Sequence, residues 1–561
     1  MNPTPTLANR VTNNVTVSIL IDGTNVSQQV GGLLSLSVYW EFNKIPTARI
    51  TFEDRSTGTD PFPRTNSRQF EPRKTIDIQV GYQNQEESIF RGIIVRQGMK
   101  VRQGKPSVLD IECKDVAIKT TLIRHSRYFY DKTDAGIIRQ LIDAYPDLTA
   151  GTLPTTQPQH PERVQYHATD WDFMVMRAEA NGLLLSVRNG QVSLVQPQVA
   201  ARATHTVSNG DTVIELETEI DARTHWPSVN ATTWDHTQQQ LSREEARAPN
   251  GIPADFASAL YGTNGVALFH GGDMSTEELK AWVSGQQAKS DLSRRRGRVR
   301  IRGLAVSPGD TLELTNTGGL YDGRYWVSGV MHQVFSGTWL TDVQLGQSTQ
   351  NVADELRAIQ TPPAAGLFPG VRGLQVGVVS NIEGDSREGN HRIQVRIPYL
   401  AQAEAESSEQ QAEGIWARLS TLYAGASRGF VFRPEPGDEV ILGFINDDPN
   451  DAIILGAVHS NQRAAPFNPT NENSQKGIVA RQGMRVVFNE EEKSVFINTK
   501  DGDDGFSILL SEQGSGKIEI KHKSGHSILL DDSGITLNSA KDITLKATGN
   551  VTVEGVKIDL N

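Results

Sequence analysis

One cysteine, Cys113, stands in 561 residues. A lone thiol excludes an intrachain disulfide and any cysteine-rich zinc site. In the strand-like stretch LDIECKD it reads as a small buried hydrophobe rather than a nucleophile. Long apolar runs are missing too: none approaches the ~18 residues of a membrane-spanning helix. The start, MNPTPTLANR, lacks the charged head and apolar core of a secretory signal, so synthesis in the cytoplasm and export by another route are expected. Aromatic residues make up only 7% of the chain, and acidic residues outnumber basic ones by 66 to 55, for a formal charge of −11. That balance argues against a dedicated nucleic-acid binder. No glycine-rich phosphate loop follows a strand.

What is there is mostly β, in a chain long enough for three or four domains at ~150 residues each. Residues 14–60 and 74–120 are rich in alternating strands such as ARITFED and TIDIQVGY. Three helices are predicted within residues 1–360. The first starts near Thr133–Asp134, with Ile137, Ile138, Leu141 and Ile142 at helical spacing. The second is capped by Thr169 or Asp170, turns Trp171, Met174, Val175 and Ala178 to one face, and ends at Asn181–Gly182. The third runs from Ser275 with the capping-box pattern Ser275 to Glu278. Strands before and after the helices suggest two like-built β domains. A Pro/Gly linker at 361–370 leads to five short strands in 371–460, which suit a small Greek-key barrel of the OB type, with the acidic stretch AQAEAESSEQQAEG as a loop. A second linker spans 461–480.

Residues 481–561 repeat a two-residue apolar alternation separated by short turns. Ile508/Leu510, Ile518/Ile520, Ile528/Leu530, Ile535/Leu537, Ile543/Leu545, Val551/Val553 and Ile558/Leu560 follow at steps of 7, 8 or 10 residues. Each unit reads as a short strand with one buried face. No unit can bury that face alone, so the units must stack. A hexapeptide solenoid would hold its period at six. The wandering step fits three chains wrapped into an intertwined prism better, and the first twelve residues of that series, Ile508 to Val553, are the expected trimer core.

Groups that could carry chemistry are few. His522 and His526 in KHKSGH lack the Glu of a helical zincin site; three-fold symmetry could bring copies to an axis for an ion, and the plainer reading is solvent-facing turn histidines. Asp501, Asp503 and Asp504 lack the later Glu of an EF-hand and read as a solvated turn. Asp170 and Asp172 beside His167 read as helix-start residues. Arg298, Arg300 and Arg302 share one face of a strand and read as a solvated face more readily than a basic channel. Trp416 is expected in the barrel core, Pro436–Gly437 in a tight turn, Asn446, Asp447 and Asp448 in another, and Gly456 where a side chain would crowd a neighbouring strand. No catalytic residue, cofactor or metal site is expected.

Several stretches, in order, resemble the VgrG family of spike proteins of contractile injection systems and their relatives in phage tails. They are Tyr166-His167-Ala168-Thr169-Asp170-Trp171-Asp172-Phe173 with Arg177-Ala178-Glu179-Ala180-Asn181-Gly182 in the first half, then Arg392-Ile393-Gln394-Val395-Arg396-Ile397-Pro398, Trp416-Ala417-Arg418, Pro436-Gly437-Asp438-Glu439-Val440 and Ile454-Leu455-Gly456-Ala457-Val458 in the barrel. The resemblance implies a mainly β homotrimer: a hub over 1–360 that adapts the hexameric inner tube and baseplate, an OB-fold barrel over 371–460, and an intertwined β-helix needle over 481–561 that meets the target membrane. It also implies a PAAR-type cap on Val556, Ile558, Leu560 and Asn561, and a spike without its own effector, in an extracellular or anchored particle. The rival reading is a trimeric tail-spike adhesin or glycan-active β-helix, which usually carries aromatics along its face; beyond Phe488, Phe496 and Phe506 near its start, this repeat has none.

Overall fold

Period-two alternation builds the first half of the chain. In Thr47–Asp54 the residues Ala48, Ile50 and Phe52 are fully buried while those between them are not, so one face of the strand is core. The structure, a computed structural model, describes residues 15–27, 32–200, 202–248, 260–262, 264–355, 361–386, 391–398, 414–500 and 505–559. The chain divides into two compact units, Met1–Thr361 and Pro362–Asn561.

The first unit is built on a thirteen-stranded, mainly antiparallel sheet. One half runs through Val15–Ile21, Thr75–Tyr82, Gln85–Arg102, Lys105–Lys114, Thr47–Asp54 and Leu33–Glu41. The other runs through Gly323–Phe335, Thr338–Leu345, Arg295–Arg302 and Val213–Ile220. Ile50, Phe52, Ile78, Leu109 and Ile111 make one core, and Val299, Ile301, Leu312, Val327 and Val343 another. The sequence suggests two like-built β domains, and the structure has two cores under one continuous sheet. The reason is that Gly323–Phe335 keeps no free edge: it pairs with Thr338–Leu345 on one side and Leu33–Glu41 on the other. Cys113 lies in the first core, where burial pushes its thiol far above the usual value.

The three helices form where their caps stand. Thr133 Oγ1 accepts from Gly136 N ahead of Asp134–Asp143, and Thr169 Oγ1 from Asp172 N ahead of Asp170–Ala180. Ser275 and Glu278 close a reciprocal capping box on Thr276–Ser293. The expected apolar faces of the first two, from Ile137 to Ile142 and from Trp171 to Ala178, pack in a single cluster.

In the second unit five strands close a barrel: Gln375–Asn381, Ile393–Arg396, Ile415–Leu419, Glu439–Phe444 and Ala452–Val458. Gly437 takes φ 87° and donates its N–H to the Val379 carbonyl at 2.8 Å, closing the turn before the fourth strand. Asn446 and Asp447 take the left-handed conformation expected of turn residues. Two sequence readings are corrected. Ala417, not Trp416, enters the core, because Ile415, Ala417 and Leu419 face inward and Trp416 shares its strand's outer face, half-buried. A Cβ on Gly456 would meet nothing within 4 Å; the crowded glycine is Gly377, against the Val395 side chain. The acidic loop lies outside the described residues except for Gly414.

A seven-stranded antiparallel meander follows: Gln475–Val479, Arg485–Asn489, Ser494–Asn498, Ser507–Ser511, Lys517–Lys521, Ser527–Asp531 and Gly534–Asn538. Its first strand falls inside the 461–480 stretch read as a linker, where Gly477 pairs with Val487 and Ile478 with Val486. Five-residue turns, 512–516 and 522–526, produce the ten-residue steps of the repeat, and the two-residue turn Asp532–Ser533 shortens the step to seven. Residues 539–559 take no strand, so the alternation at Ile543, Leu545, Val551, Val553 and Ile558 has no ladder within the chain.

In the single chain the residues expected to form the trimer core stand uncovered in this segment. Leu545 is 72% exposed, and Ile543, Val551 and Val553 are exposed as well. The physical reason is that a segment without a strand neighbour has no sheet to turn its side chains against, so one chain cannot bury them. Leu560 and Asn561 lie outside the described residues.

Candidate functional site

Register turns the repeat into two columns. Val495, Leu510, Ile518, Leu530 and Ile535 align across five strands in one, and Ile497, Ile508, Ile520, Ile528 and Leu537 in the other. Within each strand the two members are two residues apart, so both columns share a face. In a single chain that face is uncovered: Ile518 is 42% exposed, Ile520 41% and Ile535 72%. Of the twelve expected core residues, eight from Ile508 to Leu537 therefore stand on one sheet face, while Ile543, Leu545, Val551 and Val553 lie beyond the last strand. Covering a Val, Ile or Leu fully contributes about 1.5–3 kcal/mol, so a continuous face of ten such residues calls for a partner surface. The opposite face carries a central column that the sequence reading missed: Val487, Phe496, Leu509, Glu519, Leu529 and Thr536. Its signal is the middle residue of SILLS and SILLD, which a search for two-residue alternation skips. Partial burial pushes the Glu519 carboxyl up, but bonds from Lys521 and Lys517, at 3.1 and 3.2 Å, bring it below its ordinary value.

His522 and His526 bound the five-residue turn after Lys517–Lys521. His522 is exposed, as a turn histidine is expected to be, and His526 is half-buried. Both line a groove of about 520 Å³ with Phe506, Ile508, Ile520, Ile528 and Leu537, on the face of the apolar columns. Their ring centroids are 5.3 Å apart, and His522 meets Phe506 edge-on at 4.6 Å. The Nδ1 of His522 accepts from Ser524 N at 3.0 Å, and that of His526 from Ala540 N at 3.2 Å. An Nδ1 that accepts an N–H carries no proton, so each neutral ring holds its proton on Nε2. A ring in that state offers no lone pair to a cation. No group of three or more metal-capable side chains lies together among the described residues, and Asp501, Asp503 and Asp504 fall outside them.

The stretch from Tyr166 to Gly182 is a tie between elements. Asp170 is buried and accepts from Arg127 at 2.9 Å and from Gln165 and the Tyr145 hydroxyl at 2.8 Å. Burial and the Asp170 carboxylate push the Tyr145 hydroxyl up to about 12. Arg177 holds Asp134 through two bonds of 2.6 and 2.8 Å, and Asn181 adds a third at 2.8 Å. Burial drives the Asp134 carboxyl up, but the bonds and charge of Arg177, with Asn181 and His160, outweigh it and leave the group below its ordinary value. Glu179 bonds Lys289 at 2.8 Å and Asn43 at 3.1 Å. Gly182, at φ 67°, approaches the third helix so closely that a Cβ would lie 2.6 Å from the Gly285 Cα. His167 is exposed, and its backbone accepts from Arg124 and donates to the Ser126 hydroxyl.

The basic run is a charge ladder. Arg300 grips Asp342 through bonds of 2.9 and 3.1 Å and reaches Glu215 at 2.9 Å. Arg298 reaches Glu215 at 3.4 Å and Arg296 reaches Glu219 at 3.0 Å. The acidic partners come from Val213–Ile220 and Thr338–Leu345, the strands on either side.

Comparison with known proteins places these features. Residues 11–336, more than half of the chain, match the family described as the Alg8 N-terminal domain. Residues 375–459 match the type VI secretion system/phage-baseplate injector OB domain, and residues 494–561 the phage baseplate V C-terminal trimerisation domain. The type VI secretion system spike protein VgrG1c of Pseudomonas aeruginosa is 26% identical over 239 residues, covering 41% of this chain and 32% of that protein. VgrG1a of the same organism is 26% identical over 204 residues, covering 34% of this chain and 31% of that protein. The matched stretches thus span under a third of these relatives' length. A solved tail protein from Neisseria meningitidis is similar at a TM-score of 0.46 and 12% identity, over 60% of this chain and 97% of that one. The chain belongs to the Alg8 N-terminal domain family, matches a phage-baseplate OB domain and a trimerisation domain further on, and is similar to VgrG spike proteins.

Proposed function

We propose that the chain is the central spike of a contractile, phage-tail-like injection particle: a homotrimer that adapts the hexameric inner tube and baseplate to a three-fold needle and pierces the target envelope when the sheath contracts. The observation that carries this reading is the uncovered double column of apolar side chains from Val495 to Leu537, within the stretch that matches a trimerisation domain. Three such sheets with apolar faces inward make a closed prism. Beyond Asn538 the alternation continues with no ladder inside the chain, so there the three copies pair with one another and cover Ile543, Leu545, Val551 and Val553. A rod with every edge paired is stiff and concentrates force on a small tip. The sheath supplies the work, and the spike itself needs no active site. Val556 and Ile558, both exposed, form with Leu560 and Asn561 the seat for a PAAR-type cap.

Light scattering after size exclusion tests the core of the reading. Three copies of the 61.5 kDa chain give about 184 kDa; a folded species at the mass of one chain overturns it. The cap is tested separately, by pull-down with a candidate cap protein before and after deletion of residues 556–561. Binding unchanged by the deletion removes the cap site.

A further inference from the structure

We infer that the first unit carries a pocket for an arginine side chain presented on a partner's peptide segment, with Asp273 and Trp282 as its receiving groups. The inference stands apart from the trimeric reading. A cavity of about 380 Å³ is lined by both Asp170–Ala180 and Thr276–Ser293. That is at the low end of the ~300–1,000 Å³ of ligand pockets, a space for one side chain rather than a folded element. Its apolar wall is Met176, Ala180, Met274 and the half-buried Trp282. Met176 is 38% exposed, the one exposed large apolar side chain of a helix that buries Trp171, Phe173, Met174 and Val175. The methylene stem of a long basic side chain would cover it.

The charges around the cavity decide what that stem carries. Arg177 is held by Asp134, Arg163 by Glu278, and Glu179 by Lys289, so these groups cancel in pairs. Asp273 is left over. It is exposed, and its one ionic contact among the described residues is His236 at 3.8 Å. The cavity therefore sets an uncommitted carboxylate and an indole in one wall. A guanidinium suits that pair, being planar, always charged, and able to stack on an aromatic ring and bond a carboxylate. Arg163 adds a second demand: its Nε is buried and finds no acceptor among the described residues. A peptide carbonyl brings that acceptor, which a bare cation would not.

The test is calorimetric titration of the full chain with a short blocked peptide carrying one arginine. The control is the same peptide with citrulline, which keeps the shape and removes the charge. The arginine peptide should bind, more weakly as salt is raised, and the citrulline peptide should bind at least about tenfold more weakly. Asp273→Asn should bring the arginine peptide down to the citrulline level and leave the thermal midpoint unchanged, since Asp273 makes no hydrogen bond among the described residues. Met176→Lys, at an exposed helix position, should abolish binding by putting a cation into the cavity. Equal binding of the two peptides, or wild-type affinity in Asp273→Asn, overturns the charge assignment. No binding of the arginine peptide at millimolar concentration overturns the pocket. Binding of free arginine where the blocked peptide fails overturns the peptide as its source.

Discussion

Asp291 shows how one side chain sets a pH window. It lies on Thr276–Ser293, takes a 2.9 Å bond from Gln287, and burial pushes its carboxyl up to about 6 from an ordinary 3.8. Between those values the unfolded chain is the more ionised, so stability falls as pH rises through the window and stays lower above it. Asp291→Asn keeps the Gln287 bond without the charge. It should raise stability at pH 7 by about 1–2 kcal/mol after allowance for partial exposure, read as a higher thermal midpoint, and lose that gain near pH 4. An unchanged midpoint at pH 7 would contradict the assignment. Gly182→Ala should cost about 2–4 kcal/mol in denaturant unfolding, because alanine is strained at φ 67° and its Cβ would press on the Gly285 backbone. A wild-type unfolding curve for that variant would remove the Gly182–Gly285 contact from the account. At this scale the sequence is only partly legible. Asn181–Gly182 announces a helix end through local chemistry, but nothing local says that the glycine meets another on a distant helix. Trp416 fails for a related reason: apolar bulk suggests a core position, while strand parity places it outside.

Elements are more legible, since their causes lie within a few residues. All three helix starts are visible as Thr or Ser ahead of an apolar period, and the structure places a cap bond at each. Ser275→Ala removes the side-chain half of the capping box and should lower stability by about 1 kcal/mol in a chemical melt; no loss would mean that the Glu278 half alone holds the helix end. The barrel strands are legible by alternation and turns. The meander is legible in strand position but not in the function of both faces, because Leu509 and Leu529 interrupt a simple two-residue pattern. The faces can be told apart by charge insertion. Ile520→Asp puts a carboxylate in the inward column and should leave the chain monomeric by light scattering. Ser511→Asp, aligned with the opposite column, should leave the trimer intact. If the second variant dissociates and the first does not, the inward face has been assigned the wrong way round.

For the whole molecule, the order of large β unit, barrel and repeat is legible because composition and period change at each transition. The continuous sheet of the first unit is not, since the pairing of Leu33–Glu41 with Gly323–Phe335 spans nearly the whole unit and leaves no local trace. The same distinction separates two halves of the repeat. As far as Asn538 each strand has its ladder in its own chain, and trimerisation adds only face-to-face burial. After Asn538 the apolar alternation persists without an in-chain partner, so on the proposed trimer both the hydrogen bonds and the burial of Leu545 and its neighbours come from the other copies. A chain ended after Asn538 separates the two contributions. It should keep the hub and barrel melting transitions, because neither core includes the removed residues. It should still trimerise through the meander faces, yet dissociate on dilution at a concentration at least about tenfold higher, the equivalent of 1.4 kcal/mol. Equal resistance to dilution would mean that residues 539–559 lengthen the rod without holding it together, and that the meander faces alone close the trimer.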